Sequence, residues 1–253
     1  MSLHVDRCGH GADLVLLHGW GLHSGAWDEL MPDLAARASV HAIDLPGHGH
    51  SRAIPAGSFD DTAEAIAALI PEGATLCGWS LGALFAQRIA ARHPARIARV
   101  VLVGATPCFE ARLDWPHAMA ADTLDGFADG LSRNRDATLA RFVRLNALHG
   151  AHGRDAIRAF TDRLVQRGVP DEAGLAASLA WLRETDLRAE VPRLAQPTLV
   201  VHGTRDALAP IEAGRWLALH IPGARLHELS DAAHLPFFTH RDSFLALLEP
   251  FLG

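Results

Sequence analysis

Short, nearly continuous apolar runs recur along the chain at Leu14 to Leu17, Val40 to Ile43, Ala74 to Cys77, Val100 to Val103 and Thr198 to Val201, with a weaker one at Ala224 to Leu229. Runs of this length bounded by turn-forming residues predict strands buried on both faces. Between several of them, as at Thr62 to Ile70 and Ala83 to Ala91, the apolar residues return at helical spacing instead. This alternation predicts an α/β fold: a doubly wound, mainly parallel sheet with helices on both faces. From Phe109 to about Asp186 the pattern changes, because strand-like runs vanish and helical spacing continues through "LARFVRLNALHG" and "GRDAIRAFTDRLVQRG". The expectation is one unit with an insertion, in which 1–108 and 187–253 form the sheet core and 109–186 a helical cap over its C-terminal edge, where open α/β sheets bind ligands.

A chain of 253 residues is long enough for one such domain with a large core. Its hydrophobic fraction of 49% and charged fraction of 21% belong to a soluble globular protein. No apolar run approaches the ~20 residues of a membrane span, and the start "MSLHVDRCGHGADLVLLHG" has no basic end followed by a long apolar region. A cytoplasmic protein with no membrane association is therefore expected. Cys8, Cys77 and Cys108 are too few and too scattered for a disulfide framework or a zinc ribbon. The pairs His48/His50 and His149/His152 lack the cysteine or carboxylate company of a metal site, so no metal is expected. Every one of the 23 basic residues is arginine, and the net charge of −6 argues against nucleic-acid binding.

The candidate chemistry begins at Gly78-Trp79-Ser80-Leu81-Gly82, which sets one serine between a buried strand and a helix. A turn this sharp leaves no room for a Cβ on its flanks, which explains glycine at 78 and 82. It lifts the serine hydroxyl clear of the sheet and brings the free N–H groups of the helix N-terminus beside it, the context a G-x-S-x-G nucleophile elbow requires. Small and apolar residues matching the pattern by chance are the bland alternative. A serine hydroxyl needs a histidine to take its proton and a carboxylate to orient that histidine, and in this fold class the chain order is Ser, acid, His. "PTLVVHGTRDALAP" places Asp206 just past a buried strand, and "LHELSDAAHLPFFTHRDSF" places His234 in the loop after the last strand. Asp206 would otherwise close an Asx turn, Asp231 would cap a turn, and His240 would begin the last helix pointing away.

An oxyanion hole needs two N–H donors, one from Leu81 and one from the loop after the first long strand. There "LLHGWGL" offers Trp20, whose indole is expected to lie over the nucleophile, because a large aromatic between two glycines at a strand end is a poor core position. Charge adds a second signal. From Arg133 to Arg167 eight arginines face three acids, so this segment carries +5 while the rest of the chain carries −11. An acidic partner docking on the cap explains the reversal, and so does a solvated helix face pairing with the twelve acids between 109 and 186. Charge alone leaves both open.

Taken together, "LLHGWGL", "DLPGHGHSR", "GWSLGALFAQRIAARHPARI", "ATPCF", "TDLR", "GTRDALAP" and "AAHLPF" resemble the pimeloyl-acyl-carrier-protein methyl ester carboxylesterases of biotin synthesis (BioH type), within the α/β-hydrolases, across essentially the whole chain. The resemblance implies hydrolysis of a methyl ester on a pimeloyl chain borne by acyl carrier protein; a two-step acyl transfer of this kind needs no cofactor, and a monomer is expected. It implies Ser80 as nucleophile, Asp206 and His234 as its relay, Trp20 and Leu81 around the oxyanion, and Phe142 along the acyl channel. It further implies Arg141, Arg154 and Arg158 as contacts to the acidic carrier, and Arg154 and Arg158 are one helical turn apart. The chain departs from the family at Ala83, where a third glycine is common, and at Ala137, where one carrier-contacting arginine falls. A general short-chain carboxylesterase or lactonase would share every catalytic residue and differ in the cap pocket. A non-catalytic ligand-binding relative usually lacks a triad member, and this chain has all three.

Overall fold

The computed structural model describes residues 2–148 and 152–252. In chain order it contains β1 (Val5–Cys8), β2 (Asp13–Leu17), α1 (Met31–Ala35), β3 (Ser39–Ile43), α2 (Phe59–Ala67), β4 (Ala74–Trp79), α3 (Leu81–Arg92) and β5 (Ile97–Val103). Four helices follow, α4 (Ala121–Arg133), α5 (Arg135–Asn146), α6 (Gly153–Arg167) and α7 (Glu172–Glu184). The chain then closes with β6 (Thr198–Gly203), α8 (Ile211–His220), β7 (Arg225–Leu229), α9 (Pro236–Thr239) and α10 (Arg241–Leu248). The seven strands form one sheet in the order β1-β3-β2-β4-β5-β6-β7, parallel throughout except for β1, which runs antiparallel to β3.

Each apolar run of the sequence falls on a strand, the last beginning one residue before β7, and β4 and β6 are buried along their whole length. Two apolar layers sandwich the sheet. One joins Val15, Leu17, Leu76 and Leu102 to α2 and α3, and the other joins Leu14, Leu16, Cys77 and Val101 to Trp27, Phe237 and α10. This is the helix–sheet–helix layering that a doubly wound sheet requires. Strand β1 escapes the periodicity argument because "VDRC" sets two charged residues side by side at an edge, and its burial is only partial.

The segment 109–186 departs from a purely helical reading at its start. Residues 109–120 form an irregular stretch closed by single bridges between Cys108 and Asp186, Glu110 and Met119, and Arg112 and Trp115, and helix begins only at Ala121. The loop has its own buried residue, Trp115, whose indole N–H donates to the Cys108 carbonyl at 2.9 Å.

Two seams fasten the helices α4 to α7 to the sheet side of the molecule. At α6, Arg163 pairs with Glu29 at 2.9 Å, while Arg167 pairs with Asp6 at 2.5 Å and Asp28 at 3.0 Å. The imidazole of His23 donates from Nε2 to the Arg163 carbonyl at 3.1 Å. At α7 the backbones themselves meet: Asp171 N–H donates to the Gly47 carbonyl at 2.8 Å, and a Cβ on Gly174 would lie 2.5 Å from the Gly47 Cα. Gly174→Ala is therefore expected to lower stability by about 1–3 kcal/mol, because neither backbone can yield without opening the seam. Urea unfolding of the two proteins measures it, and an unchanged midpoint would show that the seam carries no such constraint.

Candidate active site

Ser80 stands between β4 and α3 with φ 56° and ψ −117°, in a region that residues with a Cβ rarely occupy. The turn is held by its neighbours. Ser80 N–H donates to the Val103 carbonyl at 3.0 Å, and the Ser80 carbonyl accepts from Ala83 N–H at 2.9 Å. A Cβ on Gly78 would lie 2.3 Å from the Gly82 carbonyl oxygen, and one on Gly82 the same distance from that of Leu17. Helix α3 thus rests directly on the sheet backbone, and only glycine fits at either position.

Asp206 lies in the loop after β6 and His234 in the loop after β7, and their side chains meet although 28 residues separate them. His234 Nδ1 is 2.6 Å from Asp206 Oδ2, and both side chains are fully buried. The other carboxylate oxygen, Oδ1, accepts from Leu208 N–H and Ala209 N–H, each at 2.9 Å. The Asx-turn role and the histidine-orienting role therefore coexist on one residue. Burial pushes the Asp206 carboxyl up, but the charge and hydrogen bond of His234, the nearby His202 and the Ala209 N–H outweigh it and hold the acid below the usual carboxylate range. With Nδ1–H facing the carboxylate, His234 presents Nε2, which is buried and has no hydrogen-bond partner among the described residues. Gly104, at φ 51°, makes room for the pair: a Cβ there would lie 3.0 Å from His234 Nδ1. The competing residues lie elsewhere, since Asp231 pairs with Arg205 at 2.6 Å at the surface and His240 caps α10.

The loop after β2 is shaped by a residue whose role the sequence reading missed. His18 Nε2 accepts from Leu45 N–H at 2.9 Å, so its proton is on Nδ1, which donates to the Gly19 carbonyl at 2.8 Å. Burial, reinforced by repulsion from His48, lowers His18 to about 3. The ring bridges the ends of β2 and β3 and fixes the backbone of Gly19, the residue before Trp20. Trp20 N–H donates to no group among the described residues, nor does Leu81 N–H in the first turn of α3.

The Trp20 side chain corrects the expectation that it is poorly placed for the core. It is 1% exposed, its indole N–H donates to the Leu175 carbonyl of α7 at 3.0 Å, and its ring meets Phe142 at 4.8 Å and Phe127 at 5.9 Å between centroids. The flanking glycines serve the loop backbone, while α4, α5 and α7 supply a core that local sequence cannot reveal. Phe142 lies on α5 against Trp20, and α5 also reaches the histidine loop, because the Asn146 carbonyl accepts from His234 N–H at 3.1 Å. Ser80 is 3% exposed and His234 0%, so both are shut off from solvent here.

The basic segment divides in two. Arg163 and Arg167 belong to the seam described above, which neither sequence reading anticipated. Arg141, Arg144, Arg154 and Arg158 are exposed; Arg141 stacks over Phe127 at 5.1 Å, and Arg158 pairs loosely with Asp162 at 4.0 Å. Arg144 and Arg154 form no ion pair among the described residues and line an open groove of about 770 Å³ with Leu148, His152 and Ile157. His149 lies outside the described residues. Among the described residues no helix is long and apolar enough to cross a membrane, and no cluster of three or more His, Cys, Asp or Glu is arranged to hold a metal ion.

A family model described as the alpha/beta hydrolase fold matches residues 14–241, and the chain belongs to that family. Among its relatives, the pimeloyl-[acyl-carrier protein] methyl ester esterase of Nitrosomonas europaea is 40% identical over 98% of each chain. The protein of the same name from Chromobacterium violaceum is 41% identical over 100% of this chain and 98% of its own. Among solved structures, an esterase from Exiguobacterium antarcticum superposes with a TM-score of 0.90 at 26% identity, covering 99% of this chain and 95% of that one. The enol-lactonase of Burkholderia xenovorans gives 0.84 at 27% identity, covering 99% and 96%.

His18, His23 and His48 are all buried, and burial is the first cause that lowers them to about 3, about 4 and about 4. The unfolded chain would protonate these rings near pH 6.5, so between there and pH 4 it binds more protons than the fold does. Stability is expected to fall with pH across that window by about 1.4 kcal/mol per pH unit for each such histidine. Asp6, held at about 2 chiefly by His4, Ser24 and Arg167 against the rise from burial, adds loss only at more acid pH. Urea unfolding at pH 7 and pH 5 tests this, and equal free energies would mean that these histidines do not stay neutral in the fold.

Proposed function

We propose that this chain is a serine carboxylesterase that hydrolyses the methyl ester of pimeloyl-acyl carrier protein in biotin synthesis, through an acyl-enzyme on Ser80. The observation that carries the reading is the pairing of His234 Nδ1 with Asp206 Oδ2 at 2.6 Å. It lies in a chain about 40% identical, over nearly its full length, to esterases named for that substrate. The general esterase and lactonase readings rest on structural relatives at 26–27% identity and are the weaker for it.

In the first step His234 Nε2 takes the Ser80 hydroxyl proton as Oγ attacks the ester carbonyl. The N–H groups of Trp20 and Leu81 receive the oxyanion, each worth roughly 3 kcal/mol in the transition state on the scale of single-donor deletions. The tetrahedral intermediate collapses, the carbonyl–OCH₃ bond breaks, and methanol leaves with the proton from His234. Water then attacks the acyl-enzyme with His234 again as base, which frees the pimeloyl carboxylate and restores the serine. Asp206 stays ionised and stabilises the imidazolium formed in each half. Phe142, against Trp20, walls the acyl channel, and no cofactor takes part.

The exposed arginines of α5 and α6 are the surface we assign to the carrier, with Arg141, Arg154 and Arg158 as contacts. Arg144, on the groove beside Arg154, stands in for the arginine absent at Ala137. One chain supplies every group the reaction uses, which suits a monomer.

Ser80→Ala should lower kcat by on the order of a million-fold while leaving the fold intact. Ester hydrolysis near the wild-type rate in that variant would end the proposal. Charge reversal at Arg154 and Arg158 should reduce kcat/KM for the carrier-bound ester by about tenfold at low salt and leave a small p-nitrophenyl ester unaffected. Equal loss on both substrates would remove the arginines from docking.

A further inference from the structure

His202 is the next-to-last residue of β6, and its side chain is fully buried beside the acid–histidine pair. Its Nε2 is 2.7 Å from the Ala209 carbonyl oxygen. A carbonyl only accepts, so the proton of the neutral ring is on Nε2. The same Nε2 is 3.5 Å from Asp206 Oδ2, the oxygen that meets His234. The opposite nitrogen, Nδ1, has no hydrogen-bond partner among the described residues and packs against Gly214 of α8, where a Cβ would come within 2.6 Å of it. A proton on Nδ1 would be a buried donor facing backbone with nothing to accept it. The ring is thus kept neutral and in one tautomer, with its N–H aimed at the Asp206 loop.

We propose that His202 is a positioning residue for the reaction. Its Nε2–H is given to the Ala209 carbonyl and pins the 206–209 loop; the Ala209 N–H in turn holds Asp206 Oδ1, so His202 sets the orientation of the carboxylate toward His234. The inference rests on the reading of Ser80, Asp206 and His234 as the catalytic relay. It accounts for how a carboxylate on a loop is fixed at both oxygens. Leu208 and Ala209 N–H groups hold Oδ1, His234 takes Oδ2 along its strongest direction, and His202 closes the loop from the strand side. The other charged groups acting on His202 are Glu212 of α8 and Glu228 of β7, and both are partly neutralised by Arg215. Neither can replace the donor that holds the Ala209 carbonyl.

The test compares His202→Phe, which keeps a ring and removes the N–H, with His202→Gln, whose amide N–H can stand where Nε2–H stood. Hydrolysis of a short p-nitrophenyl ester is followed against pH, with active sites counted by a fluorophosphonate titrant and folding followed by thermal melting. The Phe variant should lose about 10- to 100-fold in kcat with KM little changed, as expected when a relay group is misplaced. The acid limb of its kcat/KM profile should move to lower pH, because a displaced Asp206 holds the imidazolium less firmly. The Gln variant should return both to near wild type. If the Phe protein does not fold, His202→Asn, whose donor stops short of the loop, takes its place with the same expectation.

A wild-type kcat and acid limb with only a lower melting temperature would make His202 a packing residue and overturn the proposal. So would equal losses in the Phe and Gln variants, which would point to ring shape instead of the donor. Asp206→Asn, measured alongside, separates the two levels. A near-wild-type rate in that variant would sink the relay itself, whatever His202 does.

Discussion

The backbone of Ser80 sits at φ 56° because α3 lies directly against β2 and β4, and the rest of the site is arranged around that contact. The strain costs of order 1–3 kcal/mol and persists only because the surroundings over-determine the turn. Glycines at 78 and 82 let two backbones touch, Val103 accepts the serine N–H, and the apolar faces of β4 and α3 anchor the turn on both sides. The same approach leaves the Leu81 N–H at the start of α3 without a partner among the described residues, next in the chain to the serine, so one constraint sets both the turn and that free donor.

Around the turn, histidine does much of the structural work. His18 ties the ends of β2 and β3, His23 ties the core to α6, and His48 closes the loop after β3 through the Pro46 carbonyl. Each is kept neutral by burial, which frees one ring nitrogen to accept or donate in a fixed direction. Arginine works differently in this lysine-free chain. Arg163 and Arg167 are spent on joining α6 to acids of the core, where planar, multi-donor groups serve better than a point charge. What stays free for a partner is the smaller set on the outer faces of α5 and α6.

Helices α4 to α7 form more than a cover. Through Phe142 and Leu175 they complete the packing of Trp20, and through the Asn146 carbonyl they reach the backbone of His234. A disturbance of α5 therefore bears on the Trp20 loop and on the His234 loop together, two parts of the molecule that the sheet alone does not connect.

The sheet's central strands, the turn at Ser80 and the two residues that the fold pairs, Asp206 and His234, were legible in the sequence, because each is written in local patterning: a continuous apolar run, a glycine-flanked serine, a polar residue just past a strand. That patterning passed over β1, an edge strand with two adjacent charges in four residues, and the irregular stretch at 109–120, whose residues share the composition of helix. The assembled fold alone shows that Trp20 is core, that Arg163 and Arg167 join α6 to the core, and that His18 and His202 bond the loops beside Ser80 and Asp206. Each of these depends on groups far away in the chain, such as Leu175 against Trp20 or Glu29 against Arg163. Burial and hydrogen-bond partnership are properties of the assembled fold, and no spacing along a chain encodes them.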